Sequence, residues 1–196
     1  MSTYVNYLRN LVRSKIKRRT RYKTIRKPLG LPPRQTEQGT NNFLSGLPAT
    51  KNMKIRRIKK SDLGDCTKIA IKELSKKPYF EKWTNRTYYL RLKEIFDVSP
   101  KSCLYVKDKN KIIGFIFCRM VTWYDGKHAN IEEMVINSKY QGKGIGKKLL
   151  LELEKILKKN KVVQADLISN KKSKAYKFFH ERGYRLCDWD YLIKRI

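Results

Sequence analysis

Three glycines at alternate positions, Gly142, Gly144 and Gly146, follow an apolar stretch and precede a helical pattern opening with Lys147 and Lys148. Glycine lets the backbone turn tightly and come close to a ligand. The first amides of a helix, at its positive end, lack internal partners. The segment Gln141-Gly142-Lys143-Gly144-Ile145-Gly146 thus has the makings of an anion cradle, with the alternative of a plain glycine turn before an ordinary helix. Lys143, Lys147 and Lys148 either add charge to the cradle or stand solvated. The spacing is neither Gly-x-x-x-x-Gly-Lys-Ser/Thr nor Gly-x-Gly-x-x-Gly, so the nucleotidase and dinucleotide-binding readings lose their main support.

Two carboxylates, Glu132 and Glu133, lie just upstream on an apolar stretch that reads as a strand. Adjacent strand residues point to opposite faces, so only one of the pair is expected to serve a cleft. His128 and His180 have no acidic or cysteine companions at ligand spacing and read as surface or packing residues, not metal ligands. Cys66, Cys103, Cys118 and Cys187 form no Cys-x-x-Cys pair, which encodes neither a disulfide framework nor a zinc site and makes a reducing compartment the default. Cys103 and Cys118 fall in apolar strands and read as core.

The elements that position these groups follow from periodicity. Lys54 to Ile58 reads as a strand, and Ser61 as the cap of a helix from Asp62 to about Leu74. A second helical stretch is expected from Pro78. Its apolar positions Trp83, Tyr88, Leu90, Leu92, Ile95 and Phe96 imply burial on more than one side or a lid over a cleft. Leu104 to Val106 and Lys111 to Val121 make a hairpin, and Ala129 to Ile136 a further strand. A helix then runs to about Lys159, followed by a strand over Val162 to Ile168. A helix over Ser173 to Arg182 is closed by Gly183, and the last strand or strands lie in Tyr184 to Ile196. The order β, α, α, β, β, β, α, β, α, β gives a mixed α/β layer with hairpins in its first half and crossovers in its second.

The chain has 196 residues, 47 Lys+Arg against 17 Asp+Glu and a formal charge of +30, which fits one ordinary domain with a basic tail. A charge of this size favours polyanionic partners or ligands and disfavours polycations unless a local acidic pocket receives them. No apolar run reaches the length of a membrane-spanning helix, and the start lacks the apolar core of a secretory signal, so a soluble, intracellular protein is expected. Residues 1–50 hold 11 bases and a single acid, Glu37. Residues 1–52 read as a basic arm and a Pro/Gly-containing linker, with Tyr4 to Ile16 at helical spacing, and residues 53–196 as the folded domain. The arm, with its ten bases between Arg9 and Lys27, fits contact with nucleic acid or a ribonucleoprotein, a mitochondrial presequence, membrane-surface attachment, or a solvated tail with no partner. The expected location is accordingly the cytoplasm, or the mitochondrion if the arm is a presequence.

The loop resembles the acyl-CoA loop of the GNAT superfamily of N-acetyltransferases, Gln/Arg-x-x-Gly-x-Gly/Ala, filled here by Gln141, Gly144 and Gly146. Ile131 to Ile136 is similar to that family's fourth strand, Leu149 to Leu157 to its CoA-side helix, and Ala175 to Tyr184 to its late helix ending in Gly-Phe/Tyr; the likeness spans about residues 53–196. It implies a GNAT-like, mostly antiparallel central sheet flanked by helices, acetyl-CoA as cosubstrate, and an amine as acceptor; a homodimer is compatible with it. It implies also that the backbone of Met134, Val135 and Ile136 pairs with the pantetheine arm, with Met134 N–H on the thioester oxygen. The amides from Gly142 through Gly144, Ile145 and Gly146 to Lys147 hold the pyrophosphate, and the region from Asn170 faces the far end of CoA or the pantetheine exit.

Glu132 matches the position where several members of the family place a base; its alternative is an ion-paired strand carboxylate. Phe179 stands where many members carry a Tyr that protonates the thiolate, and Tyr176, one turn earlier, either reaches the cleft or packs as an aromatic. The cofactor-side string from Ile131 to Gly142 looks most like glucosamine-6-phosphate N-acetyltransferases, but says little about the acceptor. The alternative to an enzyme is a GNAT-shaped binding module docked through the basic arm.

Overall fold

The computed structural model describes residues 53–188 and 192–194. The arm and linker, with the helical reading of Tyr4 to Ile16, lie outside the described residues. The elements run β1 (Ile55–Arg57), α1 (Leu63–Leu74), α2 (Asn85–Val98), β2 (Leu104–Asp108), β3 (Lys111–Trp123), β4 (Gly126–Ile136), α3 (Ile145–Lys159), β5 (Val162–Asp166) and α4 (Lys174–His180). One sheet carries the strands in sequence order. The first four are antiparallel, whereas β5 lies parallel to β4 because α3 carries the chain back across the sheet.

Helices cover both faces, which explains why Ile112 to Cys118 is a continuous apolar run without alternation, buried throughout. On one face α1 and α2 pack Leu63, Cys66, Tyr88 and Leu92 against Tyr105, Phe115, Phe117 and Val135. On the other, α3 and α4 pack Leu149, Leu150, Leu153 and Phe179 against Val106, Ile113, Ile116 and Ile131. Burial pushes the Cys103 and Cys118 thiols up to about 12, as expected of inert core cysteines.

The expected bounds change at several places, and so does the burial of the second helix. Ser61 caps nothing; a 3-10 turn over Lys60–Asp62 precedes α1, and the Asp62 carboxylate accepts the Lys59 N–H at 2.9 Å. The second helix begins at Asn85, not Pro78. Thr84 and Thr87 exchange hydrogen bonds, each side-chain oxygen accepting the other's backbone N–H at 3.1 Å, a capping box with Thr at its fourth position. Trp83 is thereby left outside α2, which buries only Tyr88, Leu92 and Ile95 while Leu90 stands exposed, so burial is one-sided. β5 stops at Asp166, two residues short of Ile168. Among the described residues no strand follows Tyr184.

α4 ends at His180, two residues short of the expected Arg182, but Gly183 closes it as expected. Gly183, at φ +88°, donates to His180 O at 3.1 Å and Tyr184 to Phe179 O at 3.2 Å, with the Phe179 and Tyr184 rings in contact. This is a Schellman closure requiring a left-handed residue at Gly183.

Candidate functional site

Two features of β4 build the site. The first is a bulge. Phe117 lies opposite Glu133 but Cys118 lies opposite Ile131, so Glu132 is an extra residue with no partner across β3. The bulge restores Ile131 to the α3 face beside Met134 and Ile136, and it overturns the expectation that the two glutamates diverge. Arg91 of α2 reaches both, with Nε donating to Glu133 Oε1 at 2.5 Å and Nη2 lying 3.5 Å from Glu132 Oε2.

Arg119 Nη2 holds the other Glu132 oxygen at 2.7 Å, and the Tyr88 hydroxyl donates to Glu133 Oε2 at 2.8 Å. Burial pushes Glu133 above the usual carboxylate range, with Arg91 and Tyr88 pulling against it. Burial opposes the Arg91 charge, but the bond to Glu133 and its charge hold the guanidinium above its ordinary value. Burial and the Glu133 charge also push Tyr88 up, so its hydroxyl stays a donor.

The second feature is an open edge. β5 accompanies β4 only as far as the Asn130–Asp166 pair, where the two side chains are hydrogen-bonded. Beyond that point, among the described residues, only β3 pairs with β4. Asn137 N–H donates to Ile113 O at 2.9 Å, and antiparallel pairing alternates along the strand. Val135 and Glu133 therefore turn their backbone groups toward β3, whereas Met134 and Ile136 present theirs at the open edge. Val135, expected to pair with a ligand's arm, faces Phe115 instead.

The loop begins where that edge ends. The Gln141 side chain donates to Ile136 O at 2.9 Å, so it ties the loop to the strand and occupies one of the edge carbonyls. Gly142 and Gly144 take φ of +76° and +75°, and a Cβ at either would meet no protein atom within 4 Å. Their glycine character answers to backbone conformation and to space left outside the protein. Lys148 makes the first helical bond of α3, to Gly144 O at 3.1 Å, which leaves the amides of Ile145, Gly146 and Lys147 ahead of the hydrogen-bonded ladder.

Gly146 has a different role, since a Cβ there would come within 3.2 Å of Met134 Cε and 3.3 Å of Phe178. It allows α3 to seat closely on β4 and α4. Lys143 Nζ lies over the Tyr140 ring, whose hydroxyl donates to Asp108 at 2.7 Å, while Lys147 is exposed.

A second anchor holds the loop from the α1 side. Lys76 Nζ bonds Glu73 Oε2 at 2.8 Å and Ser138 Oγ at 3.1 Å, and Ser138 Oγ donates to Glu73 Oε1 at 3.2 Å. Burial opposes the Glu73 charge, yet the bonds from Lys76 and Ser138 hold this carboxyl below its ordinary range. Of the remaining expected residues, Tyr176 packs against His180 with the rings tilted and their centroids 4.5 Å apart. Asn170 is exposed and accepts the Lys172 N–H at 2.8 Å, in the turn before the Ser173 cap of α4. Phe179 is buried in the core.

The site thus has a backbone edge, a glycine cradle continuous with it, and a four-membered ionic cluster at the bulge. Tyr88, Arg91, Arg119, Glu73 and Lys76 were missed by sequence reasoning. Tyr88 and Arg91 share a helix face at i, i+3, the signal that could have paired them, whereas nothing local marks Arg119 or Lys76.

A family model described as the Acetyltransferase (GNAT) family matches residues 68–184, more than half of the chain. A spermidine N(1)-acetyltransferase of Thermoplasma acidophilum is 31% identical over 80 residues, covering 40% of this chain and 47% of that protein, so the chain spans about half the length of this curated relative. The PaiA N-acetyltransferase of Thermoplasma acidophilum, solved in complex with coenzyme A, superposes with a TM-score of 0.58 at 24% identity over 70% of this chain and 92% of that one. A possible acetyltransferase from Clostridium difficile 630 gives 0.62 at 16% identity over 74% and 97%. Both structures share the fold.

Proposed function

The chain belongs to the acetyltransferase (GNAT) family, and from that premise we propose that it moves an acetyl group from acetyl-CoA to a primary amine by direct attack on the thioester. The observation that carries this reading is the open β4 edge running into the Gly142–Lys147 cradle. An extended pantetheine arm suits Met134 and Ile136 as an added strand, and pyrophosphate oxygens suit the amides at the start of α3, where no Cβ intrudes.

In the reaction the amine nitrogen bonds to the thioester carbon, the carbon–sulfur bond breaks, and the sulfur leaves as thiolate. An alkylamine is almost fully protonated at neutral pH, so it must lose a proton first. Glu132 is assigned that task through a water molecule, because both its oxygens already hold guanidinium groups and keep lone pairs for one further donor. Met134 N–H stabilises the developing oxyanion, and this donor survives any side-chain change. Phe179 cannot supply the proton that the thiolate takes up; water is assigned that role ahead of Tyr176, whose ring packs on His180.

The acceptor is a small molecule such as an amino sugar, or a protein amine. The charge of +30 disfavours polyamines, although a relative is named for spermidine, and an anionic sugar phosphate would match the field. Residues 9–27 are assigned contact with a polyanion. A second reading, a binding module of weak activity, is favoured by the missing hydroxyl at Phe179 and by the basic arm. Release of free thiol from acetyl-CoA over a panel of amino sugars, polyamines and peptide amines tests the proposal. Release with any one amine supports transfer, and none above the rate without amine favours the module.

A further inference from the structure

At the end of the sheet where β3 turns into β4, the surface combines exposed aromatic rings with lysines. Trp123 and Tyr124 are 56% and 65% exposed, with ring centroids 6.4 Å apart. Trp123 also leans on the buried His128, at 5.9 Å. A Cβ at Gly126 would touch Val163 at 3.1 Å, so β5 contributes a further exposed apolar side chain beside the turn.

Behind the hairpin lies a cavity of about 330 Å³, lined among others by Val98, Pro100, Lys101, Val121, Lys127 and Asn160. Lys158 and Lys159 end α3 and Lys161 follows Asn160, so five lysines ring this end. The acid within the turn, Asp125, accepts a bond from His128 at 2.8 Å, and Asp97 on the preceding turn of α2 is paired with Lys93.

Exposed aromatic faces among cations match bases strung on phosphates. We propose that this end of the domain docks single-stranded nucleic acid, with bases stacked on Trp123 and Tyr124, one base entering the cavity, and phosphates on Lys101 and Lys127. Trp123, Tyr124, Lys101 and Lys127 are not among the groups assigned to acetyl transfer, and the proposal stands whether or not that transfer occurs. An anionic membrane would use the same lysines without needing flat stacking faces.

The test is anisotropy of a labelled uridine 12-mer titrated with the full chain at several salt concentrations, compared with vesicles containing phosphatidylserine. Trp123→Ala with Tyr124→Ala should weaken binding roughly 30-fold or more and leave the salt slope unchanged, the scale of two lost base stacks. Lys101→Glu with Lys127→Glu should instead flatten the slope by about 1.4, from two phosphates at about 0.7 each. Circular-dichroism melting identical to the unmodified chain certifies that both variants fold. Binding unaltered in both pairs, no binding by the unmodified chain, or preference for vesicles over the oligonucleotide overturns the proposal.

Discussion

The two ends of the β4 edge solve different problems with different materials. At the loop end the groups on offer are backbone amides, set by glycine conformations that no side chain completes. At the bulge end they are side chains from α2, β3 and β4 meeting around one unpaired residue. The glutamates flanking the site show the difference in electrostatic terms. Glu73, beside the loop, is held below its ordinary range, while Glu133, behind the bulge, is pushed above it. A backbone cradle tolerates change in its surroundings, whereas a charged cluster depends on every member. Binding should therefore fail at one end and turnover at the other.

The largest effect separating the two ends is on turnover. Glu132→Gln should lower the rate of thiol release roughly 10²- to 10⁴-fold, the usual scale for loss of a general base, and recover partly at high pH as free amine forms unaided. Steady-state rates across pH check this; a near-normal rate at neutral pH would move the base elsewhere.

Next is the support behind the cluster. Tyr88→Phe removes the hydroxyl donor to Glu133 Oε2 and should cost about 1–3 kcal/mol in urea unfolding, the scale of a buried acceptor left short of a partner. Gly146→Ala tests the opposite end. Its Cβ needs both Met134 Cε and the Phe178 ring to give way by a few tenths of an ångström, so a net loss of about 1 kcal/mol, overpacking less the helix gain of alanine over glycine, is expected in the same assay.

The smallest effect is the pH dependence of the two carboxylates, which oppose one another. Glu73 has a lowered folded-state pKa, so its contribution is present above the unfolded value near 4.5 and lost as pH falls through the folded value. Glu133 has a raised one, so its contribution is full below the unfolded value and is lost as pH rises through the folded value. Glu73→Gln should therefore flatten the acid limb of the stability curve below pH 4.5, and Glu133→Gln should change the curve above it. Urea midpoints across the acid range read both.

The sequence carried the loop because a glycine turn before an amphipathic helix is local information: Gly142, Gly144 and the face of α3 stand within a few turns of chain. Gly183 was legible for the same reason. The bulge was not, since period-two alternation places Glu132 and Glu133 on opposite faces, and only pairing with β3 reveals the extra residue. Arg91 and Arg119 come from 41 and 13 residues away to meet Glu132, a distance that no local pattern spans. The start of α2 was misplaced because Pro78 is a familiar opening signal, whereas Thr84 with Thr87 caps without the usual acid.

The most direct test of the account is calorimetric titration with coenzyme A of the unmodified chain, Gly144→Val and Glu132→Gln. Gly144 has open space around it but a left-handed backbone, so a valine there crowds the ligand and also strains the turn that presents the amides. The account predicts that the unmodified chain and Glu132→Gln bind alike and that Gly144→Val loses binding while still melting cooperatively. Equal affinity in all three, or loss confined to Glu132→Gln, would contradict the assignment of the cradle to the loop.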